Sequence, residues 1–259
     1  MKKIVAIIQA RMGSSRLPGK VLKDLCGQPM LAWVVGRTTS AKLVNQIIVA
    51  TTTDVRDDAI VQFCQTNTIT CFRGSPNDVL DRYYQAAKYY QADIIVRITA
   101  DCPLIDPELI DKTIKAFLDS NVDFAANRLP PPFMRTYPIG LDVEVVSFQA
   151  IERAWNDATE LHEREHVMPY FYEVPDRFKI ITLDHEKDLS ALRWTVDTPE
   201  DLEFIRQILK YLHCRMDFSW KDVLEVIEKN PELLQINAQI RHKTYKDVDE
   251  KVKSRSKND

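Results

Sequence analysis

No apolar run in this 259-residue sequence approaches the length of about 18 residues that a membrane span needs. Neither sign of charge is in excess. The 35 Lys and Arg stand against 38 Asp and Glu, a formal net charge of -3. Nothing in that balance calls for nucleic acid or an anionic membrane as a partner. There is no CxxC pair. The cysteines, Cys26, Cys64, Cys71, Cys102 and Cys214, are odd in number and widely spaced. That argues against a disulfide framework or a structural zinc site, and for a reducing cytoplasm as the setting. No internal repeat is visible. The apolar run Ile4 to Ile8 is interrupted by Gln9 and Arg11 and precedes no small-residue cleavage site. It is therefore read as a first buried strand and not as a signal peptide. What is present is ordinary globular composition, 45% hydrophobic and 28% charged. Such a chain can bury a core, which excludes full disorder.

The first half alternates strand-like and helix-like pieces. Lys3 to Gln9, Gln46 to Ala50, Thr70 to Phe72 and Asp93 to Ile98 are predicted strands. Helices over Met30 to Ser40, Val55 to Thr66, Asn77 to Tyr90 and Glu108 to Ser120 separate them, with Asn77 as an N-cap and Pro107 opening the last. This alternation predicts βαβ units, a mostly parallel sheet with helices on both faces. The rhythm changes after Asp123. Leu129 to Pro138 holds four of the 13 prolines and reads as a loop. Leu141 to Val146 reads as a strand with Asp142 and Glu144 on one face. Ser147 caps a helix through Asn156, and Leu161 to Tyr172 is another. Phe178 to Leu183 and Ala191 to Val196 are read as strands, a hairpin on the sheet edge. Pro199 opens a helix through Leu212, and Ser219 caps Trp220 to Lys229. The expected organisation is one domain over 1–240, with 129–190 as an insertion for acceptor binding or dimerisation. A charged tail over 241–259 is expected to be disordered.

The strongest chemical signal follows the first strand, Gln9-Ala-Arg-Met-Gly-Ser-Ser-Arg-Leu-Pro-Gly-Lys20. Gly13 and Gly19 allow close backbone approach, Ser14 and Ser15 offer hydroxyls, and successive N–H groups can form an anion nest. Arg11, Arg16 and Lys20 are cations suited to a triphosphate. The loop is not a Walker A motif: five residues separate the glycines, and Val21 follows the lysine where Ser or Thr would be needed. Nor is it GxGxxG. The residues alone leave two readings open, a solvated basic turn or a phosphate cradle.

This loop resembles the signature of sugar nucleotidyltransferases. The likeness is to the cytidylyltransferases that make CMP-activated acidic sugars such as 3-deoxy-manno-octulosonate and acylneuraminate, and in particular to the bacterial branch of spore coat polysaccharide biosynthesis protein F. It continues through Arg73 to Leu80, Arg97 to Asp106, Gly140 to Glu144, His162 to Val167 and Arg193 to Leu202. Gln9 stands where the sugar-acid enzymes usually carry Pro. The resemblance implies a nucleotide-diphospho-sugar transferase fold of Rossmann-like type. It implies Mg²⁺, CTP, a sugar or sugar-acid acceptor, and a homodimer. Carried over by position, Arg16 and Lys20 are catalytic, and Ala10, Arg11, Gly13, Ser14 and Ser15 hold the nucleotide with Arg73, Asn77 and Asp78. Asp101 and Asp197 are the catalytic metal carboxylates, and Asp142 and Glu144 build the acceptor side.

The residues fit that chemistry independently. Asp101 follows a buried strand at its carboxyl end, where open α/β sheets bind ligands. Asp197 is either a second carboxylate for the same ion or simply the cap of the helix opened by Pro199. Arg97 is expected to pair with a site carboxylate. Arg128, Arg135, His162, Arg164 and His166 offer cations to an acidic acceptor. Two other functions compete. One is nucleotide binding without turnover on the same fold. The other is zinc hydrolysis, because His162-Glu-Arg-Glu-His166 matches HExxH and Glu186 lies twenty residues further on. Against zinc, Glu186 sits in a loop-like segment, and the N-terminal loop would be left without a role.

Overall fold

The computed structural model describes residues 2–129 and 134–241. Strand β1 (Ile4–Gln9) leads into a short hairpin, β2 (Asp24–Leu25) and β3 (Gln28–Pro29), and helix α1 (Met30–Thr39). Then come β4 (Gln46–Thr52), α2 (Asp58–Thr66), β5 (Cys71–Gly74), α3 (Val79–Tyr89), β6 (Ile94–Thr99) and α4 (Pro107–Ser120). The second half supplies β7 (Phe124–Ala126), β8 (Glu144–Ser147), α5 (Phe148–Asp157), α6 (Leu161–His166), α7 (Pro169–Tyr172), β9 (Ile180–Thr182), α8 (Pro199–Tyr211) and α9 (Trp220–Lys229).

The seven-stranded sheet has the order β5-β4-β1-β6-β8-β7-β9. The strands from β5 to β6 run parallel, β8 is antiparallel to both β6 and β7, and β9 is parallel to β7. β1 shows why the strand period matters. Val5 and Ile7 join one apolar cluster with α3, α5 and α7, whereas Ile4, Ala6 and Ile8 join another with α1, α2 and α4. A third cluster packs α8 and α9 against Met30 and Trp33 of α1. The predicted α/β fold with helices on both faces is therefore what forms. From β1 the chain moves one way to β4 and β5, then crosses to β6 on β1's other side. This topological switch opens a crevice at the carboxyl ends of β1 and β6.

Several local expectations are corrected. Asp78, not Asn77, caps α3, its side chain accepting the Asp81 N–H at 2.8 Å. Leu161 to Tyr172 is two short helices. Val167, fully buried, takes φ 71°, and the His166 carbonyl accepts the Met168 N–H at 2.8 Å across it. That is a γ-turn around a β-branched residue, a strained conformation, and Pro169 then starts a new helix. Ala191 to Val196 does not pair as a strand. It makes one isolated bridge, Ile139 with Arg193, and no hairpin with β9. At that crossing Gly140 has φ 105°, and a Cβ there would lie 2.6 Å from the Trp194 carbonyl carbon. The cysteine spacing predicts no disulfide framework, yet Cys26 and Cys214, 188 positions apart, are bonded, with Cα atoms 5.9 Å apart. The bridge joins the β2–β3 turn to the end of α8, a pairing that only the tertiary fold brings about. Among the described residues, no helix is long and apolar enough to cross a membrane. Of the proposed tail, 242–259 lies outside the described residues, as do Pro130 to Phe133 of the proline-rich loop.

Candidate active site

The crevice at the switch point holds a pocket of about 330 Å³. The wall formed by the Gly13 to Lys20 loop is set by β1. Once Gln9 ends the strand, Ala10 still donates to the Ala50 carbonyl at 3.1 Å, and the chain then turns. The Met12 N–H donates to buried Asp57 at 2.7 Å, and the Met12 carbonyl accepts the N–H groups of Ser14 at 3.0 Å and Gly19 at 2.9 Å. Gly19 adopts φ 68°, a left-handed conformation that favours glycine, and this presents Lys20 to the pocket. Ala10, Arg11, Gly13, Ser14, Ser15, Arg16 and Lys20 all line the cavity.

The two aspartates come from separate elements and meet through the backbone. Asp101 lies just past β6. Its carbonyl accepts the Val196 N–H at 2.8 Å, which brings Asp197 alongside. The Lys20 ammonium sits between them, 2.7 Å from Asp101 Oδ2 and 2.9 Å from Asp197 Oδ1. Arg16 lies 3.0 Å and Arg193 2.8 Å from Asp197 Oδ2. Burial by itself would push the Asp197 carboxyl up, but Lys20, Arg16 and Arg193 together hold it well below the usual carboxylate range. Burial likewise acts to lower the Lys20 ammonium, yet Asp101 and Asp197 raise it above its ordinary value. Thr198, and not Asp197, is the N-cap of α8: its hydroxyl accepts the Asp201 N–H at 3.2 Å, while the Asp201 carboxylate accepts the Asp197 and Thr198 N–H groups at 3.0 and 3.1 Å. Asp197 is thereby left to face the pocket.

The opposite wall is a chain of alternating charges. Arg97 on β6 pairs with Glu144 on β8, as the sequence predicts for Arg97. Arg128 lies 3.5 Å from both Glu144 and Asp142, and Arg135 pairs with Asp142. Burial acts against the charge on Arg128, but Glu144 and Asp142 raise it above its ordinary range. Arg128, Asp142, Glu144 and His166 line the pocket. Arg135 stands behind Asp142.

Besides Arg135, four of the proposed residues lie outside the pocket lining. Arg73 bonds the Thr52 carbonyl at 2.9 Å and pairs with Asp58 at 2.7 Å. Asn77 is outside the pocket lining, and Asp78 pairs with Arg164 at 2.5 Å. His162 bonds Glu173 at 2.8 Å. The sequence reading misses Arg82, Thr99, Cys102, Glu165, Tyr172 and Thr195, all of which line the cavity. A signal for Arg82 was present: it falls between Val79, Tyr83 and Ala86 on the buried face of α3. Burial pushes its guanidinium down to about 10. Arg82, Arg97 and Arg128 each keep a buried Nε without a hydrogen-bond partner among the described residues.

The zinc reading does not survive this placement. His166 faces the main pocket, His162 bonds Glu173, and Glu186 lines a different cavity with Lys112, Tyr137 and Trp220. Asp101 and Asp197, by contrast, offer hard oxygens toward one cation position. Among the described residues no group of three or more His, Cys, Asp or Glu could hold a metal ion. A two-carboxylate set suits Mg²⁺, which commonly completes its shell with substrate phosphates and water.

Comparison with known proteins places the chain among its relatives. A family model described as cytidylyltransferase matches residues 5–243. An uncharacterized protein of Methanocaldococcus jannaschii is 40% identical over 250 residues, 96% of this chain and 100% of that protein. The spore coat polysaccharide biosynthesis protein SpsF of Bacillus subtilis is 32% identical, over 90% of this chain and 97% of its own length. A solved cytidylyltransferase from Leptospira borgpetersenii serovar Hardjo-bovis superposes with a TM-score of 0.86 at 37% identity, covering 93% of this chain and 100% of that one.

Proposed function

The chain belongs to the cytidylyltransferase family, and from that premise we propose that it transfers CMP from CTP to a sugar or sugar acid, releasing pyrophosphate for surface polysaccharide biosynthesis. It is a CTP-using nucleotidyltransferase by membership. The acceptor, the ion and the residue roles are our reading. The observation that carries it is the meeting of the Gly13 to Lys20 loop with Asp101 and Asp197 in one pocket.

The reaction joins two anions. An acceptor oxygen attacks the α-phosphorus in line while pyrophosphate departs, so the site must align the reactants and neutralise charge. Arg11, Arg16 and Lys20, with the loop N–H groups, take the triphosphate. Asp101 and Asp197 would hold Mg²⁺, which when bound supplies charge neutralisation at the reacting phosphate. Arg193 orients Asp197 from behind. On the acceptor side, Asp142 and Glu144 accept hydroxyls, and their pairing with Arg97, Arg128 and Arg135 removes the repulsion they would exert on an anion. The Nε groups of Arg82 and Arg97, without a hydrogen-bond partner among the described residues, are donors that a bound anionic substrate would satisfy. An acidic sugar is therefore the favoured acceptor.

The reading carries a cytoplasmic setting, for which the Cys26–Cys214 bond removes the argument from the cysteines, and, on the resemblance alone, a homodimer. Within the 129–190 segment read as an insertion for acceptor binding or dimerisation, Tyr137 and Tyr170 to Tyr172 are buried in this chain's own core, so a pairing would use another surface. Pyrophosphate release, screened over four nucleoside triphosphates crossed with sugars and sugar acids, tests the proposal. CTP with an acidic sugar is expected to react, and Asp101→Asn to lose at least a hundredfold, on the order expected for lost transition-state electrostatics. No release with any pair, or full activity in the variant, would overturn it.

A further inference from the structure

The Lys20 ammonium has three N–H donors and no others. Each is engaged: Asp101 Oδ2 at 2.7 Å, Asp197 Oδ1 at 2.9 Å and the Val196 carbonyl at 2.9 Å. None is left for a phosphate while this arrangement holds. The same carboxylates are those proposed to take the divalent ion, so lysine and ion compete for one position. Arg16 and Arg193 already sit on the other oxygen of Asp197, at 3.0 and 2.8 Å. A divalent ion entering the free site would thus meet three protein cations around a single carboxylate. Lys20 has somewhere to go. It hangs from the turn that follows Gly19, at the end of the loop whose Gly13, Ser14, Ser15 and Arg16 line the same pocket. Its flexible four-carbon stem lets the ammonium swing to an anion bound there without backbone movement.

We propose that Lys20 fills the divalent-cation position in the free enzyme and vacates it only for the triphosphate, so that nucleotide and ion enter as a coupled pair. This rests on the nucleotidyl-transfer reading above. The carboxylates stay paired with Lys20, Arg16 and Arg193 before substrate arrives. The coupling is reciprocal: CTP raises the affinity for the ion by the factor with which the ion raises the affinity for CTP.

Mn²⁺, counted by electron paramagnetic resonance on the nucleotide-free protein, is the probe. Wild type is expected to bind it weakly. Lys20→Met, with the carboxylates released, is expected to bind one Mn²⁺ more tightly by a factor on the order of ten to a hundred, the usual span of a coupling between sites. Lys20→Met combined with Asp101→Asn is expected to lose that gain, which assigns the new site to these carboxylates. Lys20→Gln serves as the second variant should the methionine fail to fold by circular dichroism. Free wild type binding Mn²⁺ as tightly as the Lys20 variants would overturn the proposal, and tight binding to wild type alone would suffice. Calorimetric titration of wild type with CTP in Mg²⁺ buffer separates the two claims. Absence of CTP binding would sink the nucleotidyl-transfer reading, while the Mn²⁺ comparison still decides whether Lys20 occupies the cation position.

Discussion

Arg97 and Glu144 stand directly opposite one another in the antiparallel ladder of β6 and β8, and their side chains form an ion pair at the floor of the pocket. Both are almost wholly buried, at 6% and 2% exposure. The sheet register, and not the flexible reach of long side chains, sets this pair. Burial alone would disfavour the Arg97 charge, and Glu144 more than reverses that. Glu144→Gln is expected to cost about 3–5 kcal/mol, because it leaves a buried guanidinium without its counter-charge. The denaturant midpoint measures it. The double variant Arg97→Met, Glu144→Gln is expected to recover much of the loss. A single variant as stable as wild type would show that water, not Glu144, compensates Arg97.

Acid should loosen the C-terminal wall of the site before the sheet. Burial raises the carboxyls of Asp197 and Asp201, but their arginine and lysine partners and hydrogen bonds hold both below the ordinary range. The folded chain therefore binds fewer protons there than the unfolded chain, and stability rises with pH across the window. Their contribution is complete above the unfolded value of about 3.9 and is lost as pH falls further, through the depressed folded values. Urea midpoints measured from neutral pH downward should fall steeply in the acid limb. The slope should be shallower in Asp201→Asn, and an unchanged slope would remove Asp201 from the account.

Gly140→Ala is expected to be more damaging than its size suggests. The position has φ 105°, and an added Cβ would meet backbone atoms of Trp194 and Thr195 at 2.6–2.8 Å. Those atoms belong to the segment that carries Asp197, so relief of the clash must move a proposed metal carboxylate. A loss of at least about 2 kcal/mol in stability is expected, from a left-handed conformation and a fully buried overlap together. Ion-dependent CTP binding should fall with it. Thermal melting and calorimetry check the two effects separately.

The sequence was most readable where local chemistry decides. Pro107, Pro199 and Ser219 mark helix starts, and β-branched runs mark the parallel strands. Ala191 to Val196 misled because its apolar residues look like a buried strand, yet Arg193 to Val196 are buried in succession, with Trp194 and Val196 packed in the cluster of α8 and α9, without joining a ladder. β7 escaped notice because Phe124-Ala-Ala126 carries little strand propensity and is a strand only through its neighbours. Pro169 was a visible breaker inside the supposed long helix, whereas the γ-turn at Val167 has no local signature. In the site, the loop and both aspartates were legible as motifs. The engagement of Lys20 by those aspartates was not, since the partners lie 81 and 177 positions away.

The bond between Cys26 and Cys214 makes most of the oxidised chain a closed ring, with short free ends on either side. A protease nick between those positions cuts the ring once and releases nothing. Both fragments should migrate as one species on a non-reducing gel and separate only after a thiol is added. A nick before Cys26 or after Cys214 sheds a piece at once under either condition. Fragment patterns with and without reductant therefore sort cleavage sites into those inside the ring and those outside it. The same pair of gels reports whether protein recovered from a cell carries the bridge or the two free thiols.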